Sequence, residues 1–276
     1  MMLGRPTRVL FVLLKVLLGL VYLVPLLWIL LTSLKTNVQV LQNPNALLFL
    51  PTLDTYRTII SSGLGAILTS LQIGVIVTLV VLLVGVPASF ALARRITPSW
   101  ARVIAVLLGA LLVLQMVPQP MTVIPLYSVL ANWHLLGTLP GLIFADIALM
   151  LPFAIMLLRP FVLAIPPALY EAAEIDGAST FQSFRSITVP MLTNGIFTVM
   201  SVIFISAWGE FVYAINFLPE GTVLPVSGLL AQQNTTYAAN WNSLMALAVL
   251  TSLPLLIVFL FTQKRLINGL SLGAVK

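Results

Sequence analysis

Long apolar runs, separated by charged and turn-forming residues, dominate the hydrophobic pattern of this chain. The runs do not alternate between polar and apolar positions, so they predict helices rather than strands. A helix needs about 20 apolar residues to cross the hydrocarbon core of a membrane, where backbone polar groups must bond to one another. Six candidate spans result, at residues 10–34, 66–92, 102–127, 141–159, 191–213 and 243–262. The pattern therefore predicts an all-α, polytopic membrane protein with six transmembrane helices.

Composition supports the same interpretation. Of the 276 residues, 60% are hydrophobic and 7% are charged, whereas about 25% are charged in a typical soluble domain. The first apolar run follows Arg5 and Arg8, as in a signal peptide, but it is too long and has no small-residue cleavage site. We expect it to be a retained helix and residues 1–276 to form a single transmembrane domain. The chain has no cysteine, which excludes disulfides and thiolate metal sites.

The basic residues predict the side of the membrane that each loop faces, because Lys and Arg accumulate in short cytoplasmic loops. A cytoplasmic N-terminus places all of the 13 Lys and Arg residues on the cytoplasmic side except Lys35 and Arg57. We therefore predict that both termini are cytoplasmic and that the non-spanning segments 35–65 and 214–242 are external. The net charge of +6 follows from this bias and suits anionic lipid headgroups, so it implies no nucleic-acid partner.

The predicted cytoplasmic loop at residues 164–190 concentrates charge in a chain that has little of it. Three of the seven acidic residues lie within six consecutive positions of this loop. Pro166 suits the start of a short helix, and Gly177 suits its left-handed end. Ser179 and Gln182 match a capping box at the start of a second helix. The sequence therefore predicts a helix, a sharp turn and another helix.

Two roles fit this loop. An amphipathic helix on the membrane surface would direct Phe181, Phe184 and Ile187 into lipid and its charges into water. A docking helix would instead use the small side chains of Ala172 and Ala173 to let a partner approach closely. Periodicity alone leaves both roles open.

Several stretches resemble a known family. The loop contains E-A-A, then D-G-A, then Phe184 and Pro190, and this order resembles the coupling loop of the permease subunits of ATP-binding-cassette (ABC) importers. Other stretches are similar to the carbohydrate branch of that family, which includes the second membrane subunit of the maltose importer. They are SLKTN, TLDTYR, ASFALAR, SAWGEFVYA and NGLSLGAVK. The likeness covers essentially the whole chain and implies the type I ABC importer permease fold.

The resemblance implies two contacts with a partner ATPase. In the family, the loop helix is seated in a cleft of the ATPase subunit. The implied coupling residues are Glu171, Ala172, Ala173, Asp176, Gly177, Ala178, Phe184 and Pro190. The C-terminal tail, residues 265–276, would enter the ATPase dimer region, unless it is a frayed polar terminus. The implied tail residues are Gly269, Leu270, Gly273, Ala274 and Val275.

The resemblance also implies the partners and the location. They are a second homologous permease subunit, a dimer of cytoplasmic ABC ATPases and an extracytoplasmic solute-binding protein, all at a bacterial or archaeal cytoplasmic membrane. The chain has no GxxxxGK[ST] phosphate-binding loop. We therefore expect ATP and Mg²⁺ on the ATPase subunits, and neither cofactor nor metal on this chain. His134 is the only histidine, in a predicted external loop where a catalytic or ligand role is not expected.

Polar residues within the spans are candidates for the substrate pathway, because a charge at mid-bilayer costs on the order of 3 kcal/mol. We expect Pro118 to kink or break the third span, close to two glutamines. The candidates are Gln115, Gln119, Trp208, Glu210, Tyr213 and Asn216. The amides could instead join helices to one another, and Glu210 could lie at the membrane interface.

Asp146 departs from the family, whose members tend to have an aromatic or neutral residue near this position. It leaves open a second function, an ion- or proton-coupled secondary transporter in which Asp146 and Glu210 form a coupling pair. Such a transporter would have inverted repeats, which the sequence does not show. A membrane-embedded enzyme would need a clustered nucleophile, base or metal site, and none is visible. We expect a permease subunit that carries a sugar or a related polar solute.

Overall fold

The computed structural model describes residues 5–93, 97–218, 224–233 and 240–274, and the side-chain surroundings of residues 10–263 within them. This described part is helical and contains no strand, so the predicted all-α class is confirmed. It holds thirteen α-helices: α1 Arg5–Ser33, α2 Asn37–Gln42, α3 Asp54–Ala93, α4 Pro98–Met116, α5 Gln119–Asn132, α6 Leu139–Leu163, α7 Pro167–Ile175, α8 Thr180–Ser183, α9 Val189–Met191, α10 Thr193–Trp208, α11 Val212–Phe217, α12 Val226–Gln232 and α13 Trp241–Ala274. A π-helical turn, Phe184–Thr188, separates α8 from α9.

Internal packing divides the chain into two compact units. The first unit comprises Met1–Leu64 and Leu229–Leu253, and the second comprises Gly65–Gly228 and Pro254–Lys276. In the first unit, Ile59, Ala246 and Leu247 form a small buried core. In the second unit, the core extends over α3, α6 and α10, with residues such as Val77, Leu158 and Ile203 fully enclosed.

Five of the described helices have segments long and apolar enough to cross a membrane. These segments are Leu10–Ser33, Asp54–Ala93, Pro98–Met116, Leu139–Leu163 and Trp241–Gln263. A sixth span results if Thr180–Met191 and Thr193–Trp208, which meet at a bend of 71°, are counted together. The described helices thus fit a multi-pass membrane protein.

The predicted third and fifth spans, 102–127 and 191–213, are both shorter in the structure. In the third, α4 ends at Met116 and a separate helix, α5, begins beyond Pro118. The predicted break at Pro118 is therefore confirmed, because proline cannot donate the backbone hydrogen bond that would continue α4. In the fifth, α10 ends at Trp208, and α11 begins only at Val212.

Two helices extend beyond the predicted spans that they contain. The second span was predicted at 66–92, and the helix that contains it, α3, begins earlier, at Asp54. Thr52 marks this start, because its Oγ1 accepts the backbone N–H of Asp54 at 3.1 Å and lies 2.8 Å from the carboxylate of that residue. The predicted last span, 243–262, agrees with the apolar segment Trp241–Gln263 of α13, whose backbone stays helical to Ala274.

Glycines allow close helix contacts in the second unit. A Cβ atom added to Gly195 in α10 would lie 2.7 Å from Cγ of Phe161 in α6. A Cβ added to Gly74 in α3 would lie 3.0 Å from the ring of Phe204 in α10. Small residues at such contacts let membrane helices pack closely. They fix α10 between α3 and α6 and so position the site described next.

Candidate functional site

The first part of the candidate site is the exposed helix α7. Its residues include none that are buried, and Glu171, Ala172 and Asp176 are all exposed. The helix begins at Pro167, at its first position, where the missing N–H costs no hydrogen bond. The acidic residues are therefore presented to solvent by a short helix and the residue that ends it.

The turn after α7 has the predicted geometry. Gly177 has φ of +75°, a left-handed conformation that glycine adopts without strain. Its N–H donates to the carbonyl of Glu174, and the N–H of Ala178 donates to the carbonyl of Ala173 at 2.8 Å. This pair of bonds is the Schellman ending of a helix. The left-handed terminus predicted at Gly177 is confirmed.

The capping box that starts α8 is also confirmed. The backbone N–H of Gln182 donates to Oγ of Ser179 at 3.3 Å, and the N–H of Ser179 donates to Oε1 of Gln182 at 2.7 Å. Each side chain satisfies a backbone donor that the helix start leaves open. The chain therefore makes the predicted helix, turn and second helix.

A small cluster of side chains, here called the Phe90 cluster, joins this loop to α3. It consists of Phe90, Tyr170, Phe184 and Thr188. The ring of Phe90 lies 5.2 Å from that of Phe184 and 6.2 Å from that of Tyr170. The hydroxyl of Tyr170 lies 2.9 Å from Oγ1 of Thr188 and forms a hydrogen bond with it. Of these four residues the sequence indicated a role for Phe184 alone, because contacts across such long separations leave no local signal.

The Phe90 cluster also changes the interpretation of the apolar loop residues. Of the three side chains that a membrane-surface helix would direct into lipid, only Phe181 is exposed. Phe184 is half-buried against Phe90, and Ile187 is half-buried as well. The loop therefore has no continuous lipid-facing stripe over α8 and the π-helical turn, whereas Ile175 at the end of α7 is 87% exposed.

The second part of the candidate site is a cavity of about 440 Å³ between α4, α6 and the α10–α11 break. Its polar lining comes from Gln115, Gln119, Ser206 and Glu210. Its remaining lining residues are Leu149, Met150, Phe153, Gly209, Phe211 and Val212. Three of the six predicted pathway residues, Gln115, Gln119 and Glu210, thus meet at one cavity.

Glu210 organises the polar end of this cavity. It lies between α10 and α11, with 8% of its surface exposed. Its Oε1 accepts hydrogen bonds from Nε2 of Gln119 at 2.7 Å and from the N–H of Tyr213 at 2.8 Å. Its Oε2 accepts the N–H of Ala214 at 3.0 Å. The carboxylate therefore caps the start of α11 and holds Gln119 beside it.

The other three predicted pathway residues do not line this cavity. Trp208 is buried, with its ring 6.0 Å from that of Phe204. Tyr213 is buried, stacks on Phe217 and hydrogen-bonds through its hydroxyl to Thr122. Asn216 is exposed and donates from Nδ2 to a carbonyl one helical turn earlier, at 2.7 Å. Ser206 is a lining residue that the sequence analysis did not select, because a serine in an apolar span carries no distinctive pattern.

The remaining predicted residues lie elsewhere. Ala173, Ala178 and Phe184 are half-buried, whereas Pro190 is exposed. The backbone of α13 passes through the tail residues Gly269, Leu270, Gly273 and Ala274, and Val275 lies outside the described residues. His134 is exposed in the turn between α5 and α6, with φ of +56°. Within the described part of the chain, no three His, Cys, Asp or Glu side chains cluster as a metal site would require.

Comparisons with known proteins agree with this architecture. Residues 85–271 match the family described as the binding-protein-dependent transport system inner membrane component. The trehalose transport system permease protein SugB of Mycobacterium tuberculosis is 33% identical over 260 residues, which cover 92% of each chain. The diacetylchitobiose uptake system permease protein DasC of Streptomyces coelicolor is 35% identical over 205 residues, or 73% of this chain and 71% of that one.

A solved structure shares the fold. It belongs to a bacterial ABC transporter involved in the import of the acidic polysaccharide alginate, with a TM-score of 0.77 and 20% identity. The match covers 96% of this chain and 99% of the other. The helices and the polar cavity define a multi-pass membrane transport subunit with the type I importer fold. The chain belongs to the family of inner membrane components of binding-protein-dependent transport systems, and it is a permease subunit of an ABC importer.

Proposed function

We propose that this subunit pairs with a second homologous permease to form the translocation pathway for a sugar or a related polar solute. Two cytoplasmic ATPase subunits supply the energy, and an extracytoplasmic solute-binding protein delivers the solute. The carbohydrate branch that includes the second membrane subunit of the maltose importer remains the expected placement within the family. Both termini and the α7–α9 loop face the cytoplasm, because the basic residues concentrate on that side.

The main observation in support of a coupling role is that α7 is exposed and that its residue Tyr170 packs, within the Phe90 cluster, against the spanning helix α3. A partner can reach Glu171, Ala172 and Ile175 without displacing any core residue. Behind them, Tyr170 and Phe184 contact Phe90 in α3. A force applied to α7 is thus transmitted through packed side chains to a helix of 40 residues.

Alternating access follows from this connection. ATP closes the ATPase dimer, the docked α7 moves with it, and the attached spans carry the pathway from inward-facing to outward-facing. The C-terminal tail is a proposed second contact with the ATPases. ATP and Mg²⁺ bind to the ATPase subunits in this scheme, and this chain supplies the moving helices.

Two features support a sugar as the solute. The named relatives transport trehalose and diacetylchitobiose. The cavity offers two amides, a hydroxyl and a carboxylate beside Phe153, and hydroxyl-rich solutes are recognised by a few placed polar groups in an otherwise apolar pocket. Trp208, Tyr213 and Asn216 stay candidates for surfaces of the pathway outside this cavity.

The coupling role is tested by adding bulk to the exposed face of α7. We expect Ala172→Arg to reduce co-purification of the ATPase subunits with the tagged permease and to lower ATPase activity in lipid nanodiscs. Asn132→Arg, at the exposed last residue of α5, is the matched control and should leave both unchanged. Equal ATPase recovery from the two variants would contradict a docking role for α7.

The secondary-transporter alternative makes a different prediction. If Asp146 and Glu210 formed an ion-coupling pair, uptake would continue without ATPase partners and would collapse with the ion gradient. Membership of a binding-protein-dependent family supports the ATP-driven scheme instead. Uptake by liposomes that contain the permease subunits without ATPases would support the alternative.

A further inference from the structure

Asp146 is a carboxylic acid enclosed within the second unit. It lies in α6 with 1% of its surface exposed, and neither carboxyl oxygen has a hydrogen-bond partner. Such a group carries a large penalty when charged, because neither water nor a donor compensates its charge. The proposed function assigns no role to this residue.

Among the described side chains of α4 and α6, no cation is placed to neutralise Asp146. Arg159 is the only other charged residue of α6, and it lies 13 positions further along (159 minus 146), or about 20 Å on a helix. Arg102 is the only charged residue of α4. Arg102 lies near the start of α4. The other end of that helix approaches the Asp146 region, because Gln115 donates a hydrogen bond from its amide to the carbonyl of Leu149 in α6.

The ionisable groups of the other helices around Asp146 are either acidic or uncharged. Glu210 precedes α11, which packs against α6, so its carboxylate would add negative charge on this side of the helix. Tyr213, in α11, carries a neutral hydroxyl that is bonded to Thr122. Helix α10 and the part of α3 in this unit, residues 65–93, contain no ionisable side chain, and α5 contains only Tyr127.

A partner or a solute cannot reach Asp146 in this packing either. The side chain is enclosed already in the isolated chain, so a second subunit could not contact it without separating α6 from its neighbours. Asp146 is not among the residues that line the cavity, although Leu149 and Met150, three and four positions further along α6, are. The occupant must therefore be very small.

We propose that Asp146 is a proton-binding site. Its carboxyl group carries a proton when α6, α10 and the residues between α10 and α11 are packed as seen here. The carboxylate takes a proton from water as the packing closes, and it returns that proton to water when the helices separate and hydrate it. The packed arrangement is then favoured at low pH and loses that advantage as the pH rises. This inference does not depend on the solute or on the ATPase contact.

Infrared spectroscopy of the assembled complex in lipid tests the site directly. The chain has three aspartates, and Asp54 and Asp176 are both exposed. With ¹³C-labelled aspartate, we expect a protonated-carboxyl C=O band at neutral pH that shifts with the label. The band should disappear in Asp146→Asn and remain in Asp54→Asn.

A second variant covers the case in which Asp146→Asn fails to assemble. In Asp146→Glu the protonated band should persist but no longer respond to labelled aspartate. The proposal is overturned if no label-sensitive band exists at neutral pH, or if a band that still responds to labelled aspartate survives in Asp146→Asn or Asp146→Glu. It is equally overturned if the band is absent and removal of sodium destabilises the wild type but not Asp146→Asn, since the occupant would then be a metal cation.

Discussion

Nε2 of Gln119 donates a hydrogen bond of 2.7 Å to Oε1 of Glu210, a residue 91 positions further along the chain. Gln119 follows the break after α4, and Glu210 occupies the break after α10. The bond therefore joins two helix interruptions and closes one end of the polar cavity. Interruptions of spanning helices are tolerated where side chains satisfy the freed backbone groups, as Glu210 does for α11.

Removal of the Glu210 carboxylate tests this arrangement. We expect Glu210→Ala to destabilise the subunit by at least about 1–3 kcal/mol, because donors of Gln119, Tyr213 and Ala214 lose their acceptor. Glu210→Gln should cost less, since one acceptor oxygen remains. The midpoint of thermal unfolding of the purified complex measures both. Gln115→Leu, which removes one exposed hydrogen bond, is the control, and an equal loss there would contradict a special role for Glu210.

The contact between Gly195 and Phe161 predicts a steric effect. We expect Gly195→Ala to lower stability by roughly 1–3 kcal/mol, because the added methyl group would lie 2.7 Å from Cγ of the ring. Gly109→Ala is the matched control, since a Cβ there meets nothing within 4 Å. Thermal unfolding separates the two variants. A second change, Phe161→Leu, should restore part of the loss, and an unaffected Gly195→Ala would show that α6 and α10 are not so close.

A substitution at Gly177 tests the effect of backbone conformation without a steric clash. A Cβ at this position meets nothing within 4 Å, yet φ is +75°, so any penalty comes from the left-handed backbone alone. We expect Gly177→Ala to cost about 1–2 kcal/mol locally and Gly177→Asn less, because Asn tolerates this conformation. Hydrogen exchange over residues 167–176 should rise in the order Gly, Asn, Ala, with ATPase stimulation falling in the same order. Identical exchange in all three would contradict the assigned turn.

Lys35 provides a test in the first unit. It is 2% exposed, donates from Nζ to the carbonyl of Pro44 at 2.8 Å, and lies 5.1 Å from the ring centre of Phe49. We expect Lys35→Met to loosen the segment 36–53, because the hydrogen bond that holds the carbonyl of Pro44 to the buried Lys35 is lost. Limited proteolysis of that segment measures the effect. Arg57→Met, at a residue whose side chain is 81% exposed, should leave the cleavage rate unchanged; cleavage that is equally fast in both would refute the role of Lys35.

Local chemistry explains what the sequence could predict. The turn at Gly177, the cap at Ser179 and the break at Pro118 each depend on residues within a few positions, so their patterns are visible in the chain itself. The end of α10 was not predicted, because a glycine such as Gly209 is common inside spanning helices. What starts a new helix there is the carboxylate of Glu210, and no local pattern reveals that its side chain turns back onto the backbone.

Long-range packing explains what the sequence could not predict. Phe90 and Phe184 both lie in segments that the sequence analysis singled out, but nothing in either segment shows that their rings meet at 5.2 Å. The cavity raises the same difficulty, because nothing in the sequence separated its lining residues from the other candidates in the third and fifth predicted spans. The packing around α6 places Gln115, Gln119 and Glu210 at the cavity, whereas the hydroxyl of Tyr213 bonds to Thr122.

The most direct test of the account is a crosslink from α7. A single cysteine in place of Ala173, in a chain that has no other, should form a crosslink with an ATPase subunit in native membranes, and ATP should change its yield as the helix moves. Asn132→Cys, at the exposed end of α5, should capture no ATPase. If the Ala173 position never captured a nucleotide-hydrolysing partner while assembly and uptake stayed normal, the proposed coupling through α7 would be contradicted.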